Sequence, residues 1–435
     1  MSDFQKMYAE KRITPQEAAE QLESGMQIAA DIAVAQPYRF YEAVADRVRK
    51  GELKNMTQHS LLDTKTASFM TDPEVAENYR GVDWFGGVFG RKAVNAGMMD
   101  IMPGYYRDIP EIMGDIVQPD VYVGVVSPMD KHGYFSTGCD HSITDGILKS
   151  AKKVFLQVNP KMPRSLSSTQ LHISQVDGLW EDDEDLPVVQ PGKVDEISRK
   201  IAEFIAPEIP DGATLQLGIG SIPDAVAEGL KNHHHLGIHT EMFTNSMVDL
   251  IKCGAVDNSM KPIHRGHTVA TFAFGSREMY DYIDDNPAFE MLPVNYVNDP
   301  RVIAQHPNFI SINAAVQVDF FGQVCAESLG TKHISGTGGQ ADFVRGAVKS
   351  EGGRSYIAFP STAAHGKISR IVPTLTPGAQ VSTSKNDVDC IVTEYGIARL
   401  RGKTLGERTK ALIAIADPKF RDELTFQAKK ENIII

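Results

Sequence analysis

Cysteine is scarce in this sequence: four in 435 residues, at 139, 253, 325 and 390. They form no CxxC pair, which removes the common zinc and redox motifs and leaves free thiols in a reducing cytosol as the expectation. Long apolar runs are also missing. No stretch approaches the roughly 18 apolar residues of a membrane-spanning helix. The opening MSDFQKMYAEKR is charged and carries no apolar signal core. Basic charge is in deficit, with 44 Lys and Arg against 56 Asp and Glu and a formal net charge of −12. That argues against a general nucleic-acid or anionic-membrane binder, although a phosphate-bearing small ligand could still find a local positive pocket. A cytoplasmic protein is expected.

What is present is the composition of a soluble globular chain, 42% hydrophobic and 23% charged. The length predicts two or three domains. Short apolar runs alternate with amphipathic stretches. MQIAADIAV (26–34), VYVGVVS (121–127), KVFLQVN (153–159), ATLQLGI (213–219), GIHTE (237–241) and FISINAA (309–315) read as strands. YRFYEAVADRVRK (38–50), IPDAVAEGLKN (222–232) and GERTKALIAIA (406–416) carry apolar residues at helical spacing. Such alternation implies α/β layers around largely parallel sheet.

Two parallels suggest that the chain is built twice. The segments from Gly25 and from Gly212 both run glycine, strand, small-residue loop, proline, Ala-Val helix. PDVYVGVVSPMDKHGYFSTG (119–138) parallels PNFISINAAVQVDFFGQVCAESLG (307–330), each with Asp-x-x-Gly opening a hairpin. Matches in the same order point to two related α/β domains, alongside the plainer reading of chance similarity between α/β segments. The acidic, proline-bearing WEDDEDLPVVQPGK (180–193) is the natural linker. The expected domains are residues 1–185 and 186–435. The copies differ where chemistry would show: the first has AVAQP after its strand, the second GIGSIP, and only the second has SGTGGQ (335–340). The second half is therefore expected to carry the chemistry.

GIGSIP opens a helix after a strand, where anions bind backbone N–H groups. It resembles the start of a dinucleotide fingerprint, with an acid, Glu241, roughly 20 residues on, but Pro223 holds the third glycine position. A plain strand-to-helix turn fits it equally. GKT (402–404) is not a phosphate loop, since the glycine required five positions before Gly402 is Ile397 and Gly396 is one out of step. HHH (233–235) with His239 reads as a solvated helix end rather than a zinc site, and Cys325 as a small buried thiol. Three acids stand in strand-end loops, where open α/β sheets bind ligands: Glu241 in LGIHTEMFTN, Glu327 in VCAESLG and Glu394 in TEYG. From pattern alone, Glu241 is either a ligand-facing carboxylate or an ordinary helix-cap or surface acid.

Together LGIGSIPDAV, LGIHTEM, LPVNYVNDPRVIA, SGTGGQADFVRGA, VTEYGIARLRGKTL, VSPMDKHGYFSTG and QLHISQVD resemble the acetyl-CoA hydrolase/transferase family of CoA-transferases, over nearly the whole chain. Within it the chain is similar to enzymes that move CoA between 4-hydroxybutyrate or butyrate and acetate. The resemblance implies two similar open α/β domains of the CoA-transferase (NagB/RpiA-like) fold with the active site at their interface. It implies Glu241 as catalytic nucleophile, and an oxyanion hole from the N–H groups of Ile219 and of Gly338 or Gly339. Substrate and CoA contacts fall to Gly218, Gly220, Asn298, Gly336, Gln340 and Glu394. No metal and no tightly bound cofactor are implied, CoA being a substrate. Acyl-CoA and short-chain carboxylates are the expected partners, with a homo-oligomer as the assembly.

Three other activities remain on the same residues. A hydrolase differs from a transferase in admitting water to the cleft. An NAD-dependent oxidoreductase would assign Glu241 to a ribose, against which Pro223 counts. A non-catalytic acyl-CoA sensor would bind without turnover.

Overall fold

In the computed structural model, which describes residues 3–189 and 192–434, the chain divides into two compact α/β units. Gln190 and Pro191 of the expected linker, and Ile435, lie outside the described residues. One unit comprises Met1–Val189 with Val269–Val297; the other comprises Gln190–Thr268 with Asn298–Ile435. Segment 269–297, which the sequence reading gives to the second domain, thus belongs to the first. Long-range pairing puts it there: Phe289–Met291 runs parallel to Leu166–Ser167, and the Ala273 N–H donates to the Cys139 carbonyl. No local pattern announces such a return.

The first unit holds a seven-stranded parallel sheet: β1 (Gln27–Ala30), β2 (Met56–Ser60), β3 (Tyr79–Asp83), β4 (Met99–Ile101), β5 (Val121–Val126), β6 (Lys153–Val158) and β7 (Gly178–Glu181). Their order is β7-β6-β5-β1-β2-β3-β4, every neighbour parallel. Strand β5 is buried along its whole length, which is why VYVGVV is a continuous apolar run and not an alternation. Helix α1 (Tyr38–Arg49) buries Phe40, Tyr41, Val44 and Val48, the Phe and Val side chains worth roughly 1.5–3 kcal/mol each of transfer from water.

The second unit holds a six-stranded sheet of β8 (Thr214–Leu217), β9 (Gly237–Ile238), β10 (Phe309–Asn313), β11 (Arg354–Ala358), β12 (Cys390–Thr393) and β13 (Gly396–Arg399), in the order β9-β8-β10-β11-β12-β13. Only the β12–β13 hairpin is antiparallel. Helices α2 (Glu196–Ile205), α3 (Ser221–Gly229), α4 (Gln340–Ala347) and α5 (Leu405–Ala414) belong to this unit. GKT ends as a helix cap: the Thr404 hydroxyl accepts from the Glu407 N–H, and the Glu407 carboxylate accepts from the Thr404 N–H at 2.8 Å.

The two sheets share a plan. Order β7-β6-β5-β1-β2 in one recurs as β12-β11-β10-β8-β9 in the other. The two Asp-x-x-Gly turns share their bonds as well. Asp130 Oδ1 accepts from the N–H groups of His132 and Tyr134, and Asp319 Oδ1 from those of Phe321 and Gln323, two and four residues on in both cases. Counting from Gly25 and Gly212, Ile28 corresponds to Leu215, and their strand partners Gln58 and Ile238 correspond in turn. In that register Leu61 stands where the second unit has Glu241, and Asp31 where it has Gly218. The first copy therefore has neither the carboxylate nor the bare loop.

Candidate active site

Glu241 follows β9, an edge strand of two residues and shorter than the GIHTE strand expected over 237–241. Side chains satisfy its outer backbone. Asn258 Oδ1 accepts from the Ile238 N–H at 2.9 Å, and the buried Lys261 ammonium donates to the Ile238 carbonyl at 2.8 Å and the His267 carbonyl at 2.6 Å. A sheet edge closed in this way needs no further strand. The chain then turns at Thr240, whose hydroxyl donates to the Met242 carbonyl at 3.1 Å. Asn258 and Lys261 escaped the sequence reading, because a lysine in a polar loop gives no sign that it will be buried.

The Glu241 residue keeps some exposure, while its carboxyl is closely surrounded by protein. Asn298 Nδ2 donates to Glu241 Oε2 at 2.8 Å, and the Gly339 N–H donates to the same carboxyl. Asn298 leads directly into a fixed turn: Asp299 caps the short helix Pro300–Ile303, accepting from the Arg301 N–H. Burial raises the Glu241 pKa to about 7, against the lowering effect of the Asn298 and Gly339 hydrogen bonds. At neutral pH the group therefore divides between carboxylic acid and carboxylate. The amide oxygen of Asn298 (Oδ1) is buried without a hydrogen-bond partner among the described residues.

Two glycine loops belong to the same unit. The first follows β8: the Gly218 N–H donates to the Ile312 carbonyl at 2.8 Å, and Gly220, at φ +113°, opens α3. Between them Ile219 is 59% exposed. The second is SGTGG, which ends at Gly339, the cap of α4. A Cβ at Gly339 would lie 1.9 Å from Glu241 Oε2 and 2.2 Å from Asn298 Nδ2. Glycine is required there by space, since φ is −102°. The loops share a mount at the end of β10, where Ile312 holds Gly218 and the Ala314 carbonyl accepts from Gln340 Nε2 at 3.0 Å. The N-terminus of α4 also favours negative charge at Glu241.

The rival carboxylates are occupied by hydroxyls. Glu327 accepts from Ser382 Oγ at 2.8 Å and Thr337 Oγ1 at 3.3 Å. Glu394, in the β12–β13 turn, accepts from the Ser361 N–H at 2.8 Å and Ser361 Oγ at 2.7 Å. Thus Glu241, Asn298, Gly339 and Gln340 are brought together through one loop, whereas Glu394 is bonded to Ser361. The histidines diverge: His233 meets the Ile209 carbonyl, the His234 N–H donates to Asp211, and His235 pairs with Asp257. Among the described residues no cluster of three or more His, Cys, Asp or Glu is placed to hold a metal ion. Cys325 is buried, its thiol donating to the Ser328 carbonyl. Among the described residues no helix is long and apolar enough to cross a membrane.

Family models for the acetyl-CoA hydrolase/transferase N-terminal and C-terminal domains match residues 1–190 and 275–428. The chain belongs to the acetyl-CoA hydrolase/transferase family. It is 44% identical to a succinyl-CoA:cyclohexane-1-carboxylate CoA transferase of Geobacter metallireducens, over 99% of this chain and 98% of that one. It is 42% identical to a 4-hydroxybutyrate coenzyme A transferase of Clostridium kluyveri, over 98% and 99%. Its fold matches the crystal structure of RipA from Yersinia pestis with a TM-score of 0.95, at 37% identity and full coverage of both chains.

Proposed function

We propose that this protein is a CoA-transferase that moves CoA between a short-chain acyl-CoA, butyryl- or 4-hydroxybutyryl-CoA, and acetate, with Glu241 as nucleophile. The observation that carries the reading is the enclosed Glu241 carboxyl, hydrogen-bonded by Asn298 and Gly339. A carboxylate is the nucleophile that thioester exchange needs. The Glu241 carboxylate attacks the acyl-CoA carbonyl, the C–S bond breaks, and CoA leaves as thiolate. The product is a mixed anhydride between Glu241 and the acyl group. The thiolate then attacks the Glu241 carbonyl carbon and expels the acyl carboxylate, leaving a glutamyl-CoA thioester. Acetate attacks that thioester, CoA leaves again, and its return to the acetyl carbonyl releases acetyl-CoA and free Glu241. Each thioester made replaces one broken, so no ATP is needed, and the kinetics are ping-pong.

Each addition places negative charge on a carbonyl oxygen. Backbone N–H groups fixed at that point lower the barrier, one donor being worth roughly 3 kcal/mol. The glycine loops supply candidates at Ile219 and Gly338 or Gly339. Gly218, Gly220, Gly336, Gln340, Asn298 and Glu394 complete the proposed substrate surroundings. CoA enters as a substrate and not as a resident cofactor, and the reading places the enzyme in the cytoplasm as a homo-oligomer.

The test is intact-mass analysis of the protein incubated with butyryl-CoA, followed by peptide mapping. The expected result is a CoA thioester on Glu241 that acetate discharges as acetyl-CoA. Release of CoA to water at the same rate with or without acetate would assign hydrolysis instead, and an adduct on another carboxylate would overturn Glu241.

A further inference from the structure

The glycine loop that bonds Glu241 has three glycines in four positions, Gly336, Gly338 and Gly339, and so has little stiffness of its own. An oxyanion donor works only if it is fixed before the charge arrives. What fixes this loop is Glu327, at the base of a small antiparallel hairpin whose strands pair Ser328 with His333 and Leu329 with Lys332. Its carbonyl accepts the N–H groups of Ile334 (2.8 Å) and Ser335 (3.1 Å), which are the entry to the loop. Its side chain, 7% exposed, reaches the middle of the loop through Thr337. Its other oxygen is held by Ser382, whose Oγ accepts in turn from the Ala326 N–H at 2.9 Å. The loop is thus tied at its entry and centre by one residue, and at its exit by Glu241 and the Gln340 bond to Ala314.

We propose that Glu327 is a positioning residue for the transfer reaction: a buried acceptor that clamps Thr337 and so sets where the Gly338 and Gly339 N–H groups stand relative to Glu241. The proposal rests on Glu241 being the nucleophile. It assigns to Glu327 no bond-making, because both its oxygens are engaged by hydroxyls. A clamp needs hydrogen-bond capacity at this spot and not charge. Glutamine supplies it, since one hydroxyl can keep donating to the amide oxygen while the other rotates to accept from the amide N–H.

Glu327→Ala, Glu327→Gln and Thr337→Val, with the Glu327→Ala/Thr337→Val double variant, separate these roles by steady-state kinetics with butyryl-CoA and acetate and by adduct mapping. Loosening the loop is expected to lower kcat roughly 10²-fold in Glu327→Ala, the size of effect a misplacement of about 1 Å produces. KM for butyryl-CoA should move less than about 3-fold, and Glu327→Gln should restore most of kcat. Thr337→Val should lose rate in the same direction, and the double variant should be no worse than Glu327→Ala alone, because the Thr337–Glu327 bond is already gone in Glu327→Ala. An equal collapse of Glu327→Ala and Glu327→Gln, a loss confined to KM, or additive losses in the double variant would overturn the clamp. If Glu327→Ala does not fold, a Thr337→Val protein with unchanged kcat overturns it as well. Mapping the wild-type adduct keeps the two readings apart. An adduct on Glu241 with no effect of the Thr337 and Glu327 substitutions defeats only the clamp, whereas an adduct on Glu327 defeats both.

Discussion

Replacing Glu241 by glutamine should abolish transfer and, above neutral pH, make the protein more stable. The reason is the cost of holding a carboxylate where Glu241 sits. Burial lifts its pKa from 4.5 to about 7, which corresponds to about 3 kcal/mol of cost for the charged form. The sign comes from proton binding. Between about pH 4.5 and 7 the folded protein holds a proton here that the unfolded chain has released, so stability falls as pH rises through that window. Below it the acid is neutral in both states and nothing is lost; above it the full cost applies. Glutamine carries no charge at any pH, and its amide oxygen can still accept from Asn298 and Gly339. Scanning calorimetry of both proteins should show similar midpoints near pH 4.5, separating as pH rises until the variant melts roughly 6–12 °C higher above about pH 8, taking ~2–4 °C per kcal/mol for a unit near 200 residues. An offset that does not change with pH, or a variant less stable at alkaline pH, would show that the folded state does not strain this carboxyl.

The same pKa governs the rate. Release of CoA in the first half-reaction should rise about tenfold per pH unit below about pH 7 and level off above it, because only the carboxylate attacks; a flat profile from about pH 5.5 to 8.5 would contradict this. Asn298→Ala removes a bond that holds the pKa down, so its pH–rate profile should shift to higher pH, and a shift the other way would refute the assignment. Gly339→Ala places a methyl group 1.9 Å from Glu241 Oε2 at a backbone angle alanine accepts. It should lose adduct formation by at least ~10²-fold, the scale of a misplaced reacting group, while its melting temperature changes little; retained adduct would place Gly339 away from the carboxyl. Lys261→Met leaves the Ile238 and His267 carbonyls without their ammonium donor and should destabilise the fold by roughly 1–3 kcal/mol per lost partner, read as a lower denaturant midpoint.

Much of the fold was written locally. Buried parallel strands must be apolar on both faces, so VYVGVV and KVFLQV announce themselves. An Asp-x-x-Gly turn closes on its own backbone, so its recurrence at Asp130 and Asp319 marks the duplication without any long-range contact. GIHTE misled because the run that reads as a five-residue strand is only two residues of sheet; its outer edge is finished by Asn258 and Lys261, some 20 residues away. The return of 269–297 to the first unit was equally invisible, since it depends on pairing across more than 100 residues.

The sequence by itself determined the chemistry on offer: α/β layers built twice, glycine loops only in the second copy, and three acids at strand ends. Pattern alone could not rank those acids, because Glu241, Glu327 and Glu394 occupy the same kind of loop; it was the family resemblance of LGIHTEM that pointed to Glu241. The tertiary structure separates them by what each one meets. Glu327 is filled by the hydroxyls of Thr337 and Ser382, and Glu394 by Ser361. Glu241 lies enclosed against an amide and a glycine N–H, and burial lifts its pKa toward neutrality. Hydrogen bonds to hydroxyls and loss of water are properties of a folded surrounding, and residues distant in the chain supply them.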